Sequence, residues 1–186
     1  MSEIQVNTIN EYTGANGVTI DGVNIKDGGI QGASGIPLQV VTYQNIITTS
    51  NTITSTSFTD ITYDGSNRLE IKITPKQSDS KILLIANVNT YHEYAGQVAN
   101  VRALRDISGG SSDTLVQSYR FRDEDTPDNY NLALPISYNF VDVPNTTSEV
   151  TYHFEAKTSN TSSEFSWVTA SDNDRGQSFF LWEIGV

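Results

Sequence analysis

Apolar and polar residues alternate over short segments from residue 37 onward, and turn-forming residues separate these segments. Residues 69–74 alternate cleanly and stop at Pro75, whereas 81–88 form a nearly continuous apolar run, as expected of a strand buried in a sandwich. No window of useful length shows the 3.6-residue period of a helix. The pattern therefore predicts an all-β protein. The predicted strands are 38–47, 58–63, 69–74, 81–88, 98–104, 114–121, 132–141, 150–157, 165–168 and 179–184.

Ten short strands with frequent turns indicate a β-sandwich or a barrel. The strongest local turn signal is Asp64-Gly65, because this pair favours the tight turns that join strands. Both tryptophans lie in alternating strands and are expected in the core. The residues expected in the core are Val40, Ile46, Ile82, Leu84, Leu181, Trp167 and Trp182.

Residues 1–36 differ in composition from the rest of the chain, since they contain seven glycines after Thr13 and one aromatic residue. The near-repeat from Gly17 predicts two very short strands, with Val18 and Ile20 alternating in the first and Val23 and Ile25 in the second. Isolated strands this short are marginal in water, so copies from other chains would supply their neighbours. Composition alone equally allows a flexible Gly-rich tail. The chain is thus divided into an N-terminal segment, 1–36, and a head domain, 37–186.

The charge balance excludes several classes of partner. The chain carries 22 acidic and 11 basic side chains, a formal net charge of −11, and has no basic run that would contact phosphates. No apolar stretch approaches the roughly 18–20 residues that span a bilayer. Serine, threonine and asparagine make up 57 of the 186 residues, which suits short strands and many turns. We therefore expect neither nucleic-acid binding nor membrane insertion.

Candidate chemistry is sparse. With no cysteine, thiolate metal sites and cysteine nucleophiles are excluded. His153 lies in an alternating strand and is expected to be an ordinary strand side chain, and no Gly-x-Ser-x-Gly elbow accompanies it. The acidic stretch 123–128 and the Asp172–Asp174 triplet offer oxygen ligands, but neither matches the spacing of a calcium loop. We predict no catalytic residue, no cofactor and no metal.

Aromatic residues follow the apolar run at 81–88, in a predicted loop. Exposed aromatic rings at loop tips can stack on sugars, so this loop is the candidate glycan contact. The residues of that contact are Tyr91, His92 and Tyr94.

Several short strings occur in an order and spacing that resembles a domain of bacteriophage tail-fibre and head-fibre proteins, particularly of marine phages. The strings are Val6-Asn-Thr-Ile-Asn10, Gly17-Val-Thr-Ile-Asp-Gly-Val23, Thr56-Ser-Phe-Thr-Asp60, Ile73-Thr-Pro-Lys76, Ser80-Lys-Ile-Leu83, Leu134-Pro-Ile-Ser-Tyr-Asn-Phe-Val-Asp142, Thr151-Tyr152 and Leu181-Trp-Glu-Ile184. The resemblance implies a jelly-roll-like sandwich that assembles as a trimer, comparable to C1q-type heads. It transfers no active-site residue, and the acidic loop 122–128 departs from it.

Three functions are compared on this basis. The first is a phage virion structural protein, a trimeric head fibre or capsid decoration that contacts other virion proteins through its N-terminal segment. The second is a tail-fibre module that binds host surface glycan, and the third, ranked last, is a polysaccharide-degrading enzyme. The residues expected to anchor the chain and to form trimer contacts are Ile4, Val6, Ile9, Val18, Ile20, Val23 and Ile25.

Overall fold

A computed structural model shows an all-β, antiparallel protein. It describes residues 18–20, 23–26, 29–31, 35, 37–45, 52–93, 98–108, 110, 112–122, 132–159, 164–166 and 177–186. Within these ranges no residue is helical, and every strand pair is antiparallel. The all-β prediction is confirmed.

Fourteen strands form in the described residues. They are β1 (Val18–Ile20), β2 (Val23–Lys26), β3 (Gly29–Gln31), β4 (Pro37–Asn45), β5 (Thr52–Ile53), β6 (Thr59–Asp60), β7 (Glu70–Ile73), β8 (Lys81–Glu93), β9 (Val98–Ile107), β10 (Asp113–Arg122), β11 (Leu132–Asp142), β12 (Val150–Thr158), β13 (Glu164–Ser166) and β14 (Gln177–Ile184).

The strand order of the head is that of a jelly roll. A six-stranded sheet contains the row β4-β14-β8-β11. The short strand β13 pairs with the C-terminal residues of β8, and β5 pairs with β13. A five-stranded sheet runs β10-β9-β12, and β6 and β7 both pair with β12. The eight main strands are β4, β7, β8, β9, β10, β11, β12 and β14. Numbered 1 to 8 in chain order, they form the rows 1-8-3-6 and 2-7-4-5, which are the two Greek-key sheets of a jelly roll. Strands β1, β2 and β3 form a separate three-stranded sheet.

The core lies between the inner faces of the two main sheets. Phe154 of β12 packs between Tyr138 of β11, at 5.1 Å between ring centroids, and Phe179 of β14, at 5.7 Å. Ile82, Leu84 and Leu181 are fully buried there, as predicted. The burial of each large apolar side chain stabilises the fold by roughly 1.5–3 kcal/mol.

Two residues predicted to lie in the core are instead exposed. Val40 has 50% of its surface accessible and Trp182 has 39%, and the two are direct partners in the β4–β14 register. Alternation identifies the two faces of a strand, but the face that carries the tryptophan points away from the second sheet. Ile46 and Trp167 lie outside the described residues.

The predicted strand at 58–63 is shorter in the structure. Only Thr59–Asp60 pairs with β12, and an isolated bridge joins Thr62 to Arg68. Between them the predicted turn at Asp64-Gly65 is confirmed. The Asp64 carboxylate accepts hydrogen bonds from the backbone N–H groups of Ser66, at 2.9 Å, and Asn67, at 2.6 Å, while Gly65 has a φ of +86°. These turn contacts replace the ladder that a longer strand would need.

Candidate functional site

The residues predicted to anchor the chain lie partly on the N-terminal sheet. The register places Val18 opposite Ile25 and Ile20 opposite Val23, and β3 adds Ile30 opposite Ile25. The two short strands of the near-repeat are therefore confirmed. They pair with each other and with a third strand that the sequence pattern did not predict, so backbone pairing does not require another chain. Three further predicted anchoring positions, Ile4, Val6 and Ile9, lie outside the described residues.

The N-terminal segment joins the head at one defined end. The N–H of Gly35 donates a hydrogen bond of 2.8 Å to the carbonyl oxygen of Gly185, immediately after β14. Gly35 has a φ of +79°, a left-handed conformation that glycine adopts at little cost. The chain thus enters the head beside its C-terminal end, where β4 begins.

Four strand ends lie together at the opposite end of the head. The register pairs Arg122 with Val98 and Leu132 with His92, so β8 and β10 end, and β9 and β11 begin, at the same end of the sheets. Pro37 pairs with Ile184 at the other end, next to Gly35. The acidic stretch and the candidate glycan loop are therefore connected to strand ends far from the N-terminal entry.

The predicted loop at residues 91–93 is a strand, which corrects the sequence interpretation. β8 continues to Glu93 because β11 pairs with it on one side, with Leu132 opposite His92, and β13 pairs on the other, with Ser166 opposite Tyr91. Tyr91 and His92 thus lie in β8 at the loop end of the head. Tyr94 lies outside the described residues, and the glycan contact stays a prediction.

One cluster of ionisable side chains was not predicted, and it surrounds His153. This histidine is on the outer face of β12, yet only 1% of its side chain is exposed. Its Nδ1 lies 3.3 Å from Oδ1 of Asp60, and its Nε2 lies 3.3 Å from Oδ1 of Asp106. His153 is a side chain of strand β12, as predicted, but the sequence did not predict that it is enclosed between two carboxylates.

The cluster extends along the outer face through Asp106. The Ser112 hydroxyl donates to Asp106 Oδ1 at 2.5 Å, and Arg68 Nη2 lies 2.9 Å from Asp106 Oδ2. Burial alone would raise the pKa of Asp106, but the Ser112 hydrogen bond and the charges of His153 and Arg68 hold that pKa below its ordinary value. Arg68 also contacts Glu70 at 2.8 Å. Despite partial burial, hydrogen bonds from Lys72 and Arg68 lower the pKa of the Glu70 carboxyl.

This cluster does not have the features of a reaction centre. Both ring nitrogens of His153 face carboxylates, and the side chain is closed to solvent, so no substrate atom can reach it. The hydroxyl in the cluster belongs to Ser112, which donates to a carboxylate rather than to the histidine. The ion pairs instead stabilise the fold, because they connect β6, β7, β9 and β12 on one face of the sheet.

A second ionic cluster lies at the edge of the core. Arg105 contacts Asp142 at 2.7 Å and Asp113 at 3.0 Å, and the Tyr152 hydroxyl donates to Asp142 at 2.8 Å. Burial, together with the Asp142 charge, raises the pKa of Tyr152, so the phenol stays protonated at neutral pH. These contacts join β9, β11 and β12 across the two sheets.

Stability should fall in acid because of the outer cluster. Asp106 and Glu70 have lowered pKa values in the folded state, so their contribution is complete above ordinary carboxyl pKa values, 3.8 and 4.5, and is lost as the pH falls through the folded values. Replacing Asp106 with asparagine should cost about 1–3 kcal/mol at pH 7, and this difference from the wild type should shrink towards pH 3. Urea unfolding at several pH values measures this difference in the free energy of unfolding. Asp79→Asn is the control, because it removes the charge of an exposed carboxylate. A difference that grows as the pH falls would contradict the assignment.

Within the described residues there is neither a cluster of metal ligands nor a helix that could cross a membrane. No group of three or more histidine, aspartate or glutamate side chains is arranged there to hold a metal ion. No helix in that part of the chain is long and apolar enough to cross a membrane. The acidic stretch 123–128 and the 172–174 triplet lie outside it, and the absence of a metal site stays a prediction.

Comparison with known proteins leaves the family open. No protein-family model matches the chain, and no curated protein matches it. Among solved structures, it overlaps a structure of infectious bursal disease virus, Gx strain, at 12% identity and a TM-score of 0.41, over 91% of this chain and 42% of that one. The VP2 subviral particle of the same virus gives 12% identity and a TM-score of 0.39, over 83% and 39%.

The chain thus spans about two fifths of the length of the proteins it matches. A likeness at this identity and overlap says nothing of what the chain does. The assignment as a jelly roll rests on its own strand order.

Proposed function

We propose that this protein is a virion structural component, a trimeric head fibre or capsid decoration of a bacteriophage, attached to the particle through its N-terminal segment. Its partners are then two further copies of the same chain and another virion protein. It acts by contact alone, without turnover.

The observation that carries this proposal is that β1, β2 and β3 form a sheet of their own, apart from the two sheets of the jelly roll. The core residues whose burial the structure describes all lie between Ile53 and Leu181. A reaction or a cofactor does not require such a segment, whereas a head that must be held on a surface does. The resemblance of the sequence to phage fibre proteins points the same way.

The ionic clusters support a contact function as well. The groups around His153 and around Arg105 form ion pairs between strands of the head, which supports a rigid head that acts by contact.

Deleting residues 1–36 should leave a folded head that no longer joins particles. The deletion removes none of the core residues whose burial the structure describes, so the cooperative thermal transition should be retained. Virus particles that lack the protein are mixed with the purified full chain or with the truncated chain, and co-sedimentation is measured. The full chain should pellet with the particles and the truncated chain should not.

Two results would count against this proposal. If the folded truncated chain pellets as well as the full one, the anchor lies in the head. If neither pellets, and antibodies against the chain do not label intact particles, the virion assignment fails.

The alternative is a tail-fibre module that binds host surface glycan. The observation in its favour is that Glu93, Val98, Arg122 and Leu132, the strand ends nearest the candidate glycan contact and the acidic stretch, lie at the end of the head opposite Gly35. Binding of the chain to host cells, and its loss after enzymatic removal of surface polysaccharide, would favour this function.

A further inference from the structure

An apolar row crosses the outer face of the six-stranded sheet. In the observed register Val40 of β4 lies beside Trp182 of β14, Trp182 beside Leu83 of β8, and Leu83 beside Val141 of β11. Val40 and Val141 are 50% and 56% exposed, and Trp182 is 39% exposed. Large apolar side chains in one continuous exposed row are unusual on a monomer and mark contact surfaces.

On one side, the next row extends this surface and the row after it ends it. Phe180 and Ile85 form a second, half-buried apolar pair next to Trp182 and Leu83. One row further, Asn87 accepts a hydrogen bond from Ser137 at 2.7 Å and donates one to Ser178 at 3.3 Å, which makes that row polar. We call the surface formed by Val40, Leu83, Ile85, Val141, Phe180 and Trp182 the apolar face.

The outer face of the five-stranded sheet is chemically opposite. Besides the cluster around His153, Arg102 donates to Glu155 at 2.6 Å, and both Arg102 and Lys157 lie over the ring of Phe58, at 4.2 and 4.7 Å. This face satisfies its charges internally and suits contact with water. On the apolar face, no charged side chain occurs among the described residues of these rows, and Lys81 lies at their border.

Charge restricts what can cover the apolar face. Each chain carries a net charge of −11, so two copies repel each other wherever their carboxylates meet. The apolar face lacks carboxylates in the described rows, so copies can approach there without that repulsion while removing apolar surface from water. Exposed tryptophan at the centre of such a patch is the residue type that most often dominates binding energy at interfaces.

The path of the chain also favours a second copy of this chain as the partner that covers the apolar face. Gly35 is bonded to Gly185, so the N-terminal segment enters at the β4–β14 pair, the same pair that carries Val40 and Trp182. Copies that meet through the apolar face bring their N-terminal segments together at one end of the assembly. Copies that meet through the charged sheet would hold those segments apart by the thickness of two sandwiches, each with sheets about 10 Å apart.

We propose that the apolar face is the contact between copies of this chain, with Trp182 at its centre and three chains around one axis. This inference rests on the proposed function for the number of copies. It adds the surface through which the copies meet, which includes Val40 and Trp182, two residues that the sequence pattern had placed in the core.

The test is the mass of the full chain by light scattering after size exclusion, at micromolar concentration. The wild type should give three times the chain mass of 20.4 kDa, and Trp182→Glu should give one chain mass, a threefold drop. The matched control is Thr114→Glu, which adds the same charge to an exposed strand position of the other sheet and should stay trimeric. Circular dichroism must show an unchanged β spectrum in each variant.

Val141→Glu provides a second variant that keeps the tryptophan. It should also give one chain mass, and acrylamide should quench the combined fluorescence of Trp167 and Trp182 more strongly than in the wild type, because Trp182 becomes open to solvent.

A wild type of one chain mass would overturn the proposal. So would trimers in both Trp182→Glu and Val141→Glu, or dissociation of Thr114→Glu to the same extent. None of these results decides particle attachment, which the deletion experiment measures separately.

Discussion

Replacing Phe154 with alanine should lower the free energy of unfolding by about 3–5 kcal/mol, the usual cost of truncating a buried aromatic side chain. Phe154 is 1% exposed and lies between the rings of Tyr138 and Phe179, so both sheets lose packing at once. At roughly 2–4 °C per kcal/mol for a chain of this size, the melting temperature should fall by about 6–20 °C. Calorimetry at one fixed chain concentration measures it, because assembly also stabilises the fold.

Phe58→Ala is the matched control for this substitution. Phe58 lies outside the core, and its ring contacts the cations of Arg102 and Lys157. Losing these cation–π contacts at a partly exposed site should cost about 0.5–1 kcal/mol. Equal losses in the two variants would mean that the core is not centred on Phe154.

Replacing Glu183 with alanine should cost about 2–5 kcal/mol, although the residue takes no part in the apolar core. Glu183 is fully buried, and its carboxylate accepts hydrogen bonds from the backbone N–H groups of Lys76, at 2.6 Å, and Gln77, at 3.2 Å. Gln39 Nε2 donates to the other oxygen at 2.6 Å. Alanine would leave the two backbone N–H groups without this acceptor, whereas Gln39 Nε2 would keep its hydrogen bond of 2.7 Å to the carbonyl oxygen of Thr74. The connection from β7 to β8 would lose its attachment to β14.

Urea unfolding compares this variant with two others. Glu183→Gln keeps one acceptor oxygen and should lose less than alanine does. Glu149→Ala removes a carboxylate whose side chain is 55% exposed and whose contact with Lys72 is 3.9 Å long, and it should change stability by less than about 0.5 kcal/mol. If Glu183→Ala were as mild as Glu149→Ala, the attachment of the β7–β8 connection to β14 would be unnecessary for the fold.

The alternation of apolar and polar residues over short segments predicts most of the fold class. Period-two alternation and β-branched residues locate the main strands within a few positions, and the Asp64-Gly65 pair locates its turn, because backbone geometry and neighbouring side chains decide these features. The change in composition near residue 36 coincides with the point where Gly35 meets Gly185. The length of β8 was underestimated because its last residues are held by β11 and β13, which lie far away in sequence.

The sequence by itself determined that residues 179–184 form a strand with two different faces, but the tertiary structure decided which face is inside. Phe179 and Leu181 face the second sheet and Trp182 does not, a choice made by strand order and not by hydrophobicity. The same holds for the charged residues. The partners of His153 and Glu183 are 47 to 144 residues away, and only the jelly-roll topology brings them within hydrogen-bond distance. Local pattern encodes the period of a strand, whereas burial and pairing depend on contacts that no local segment contains.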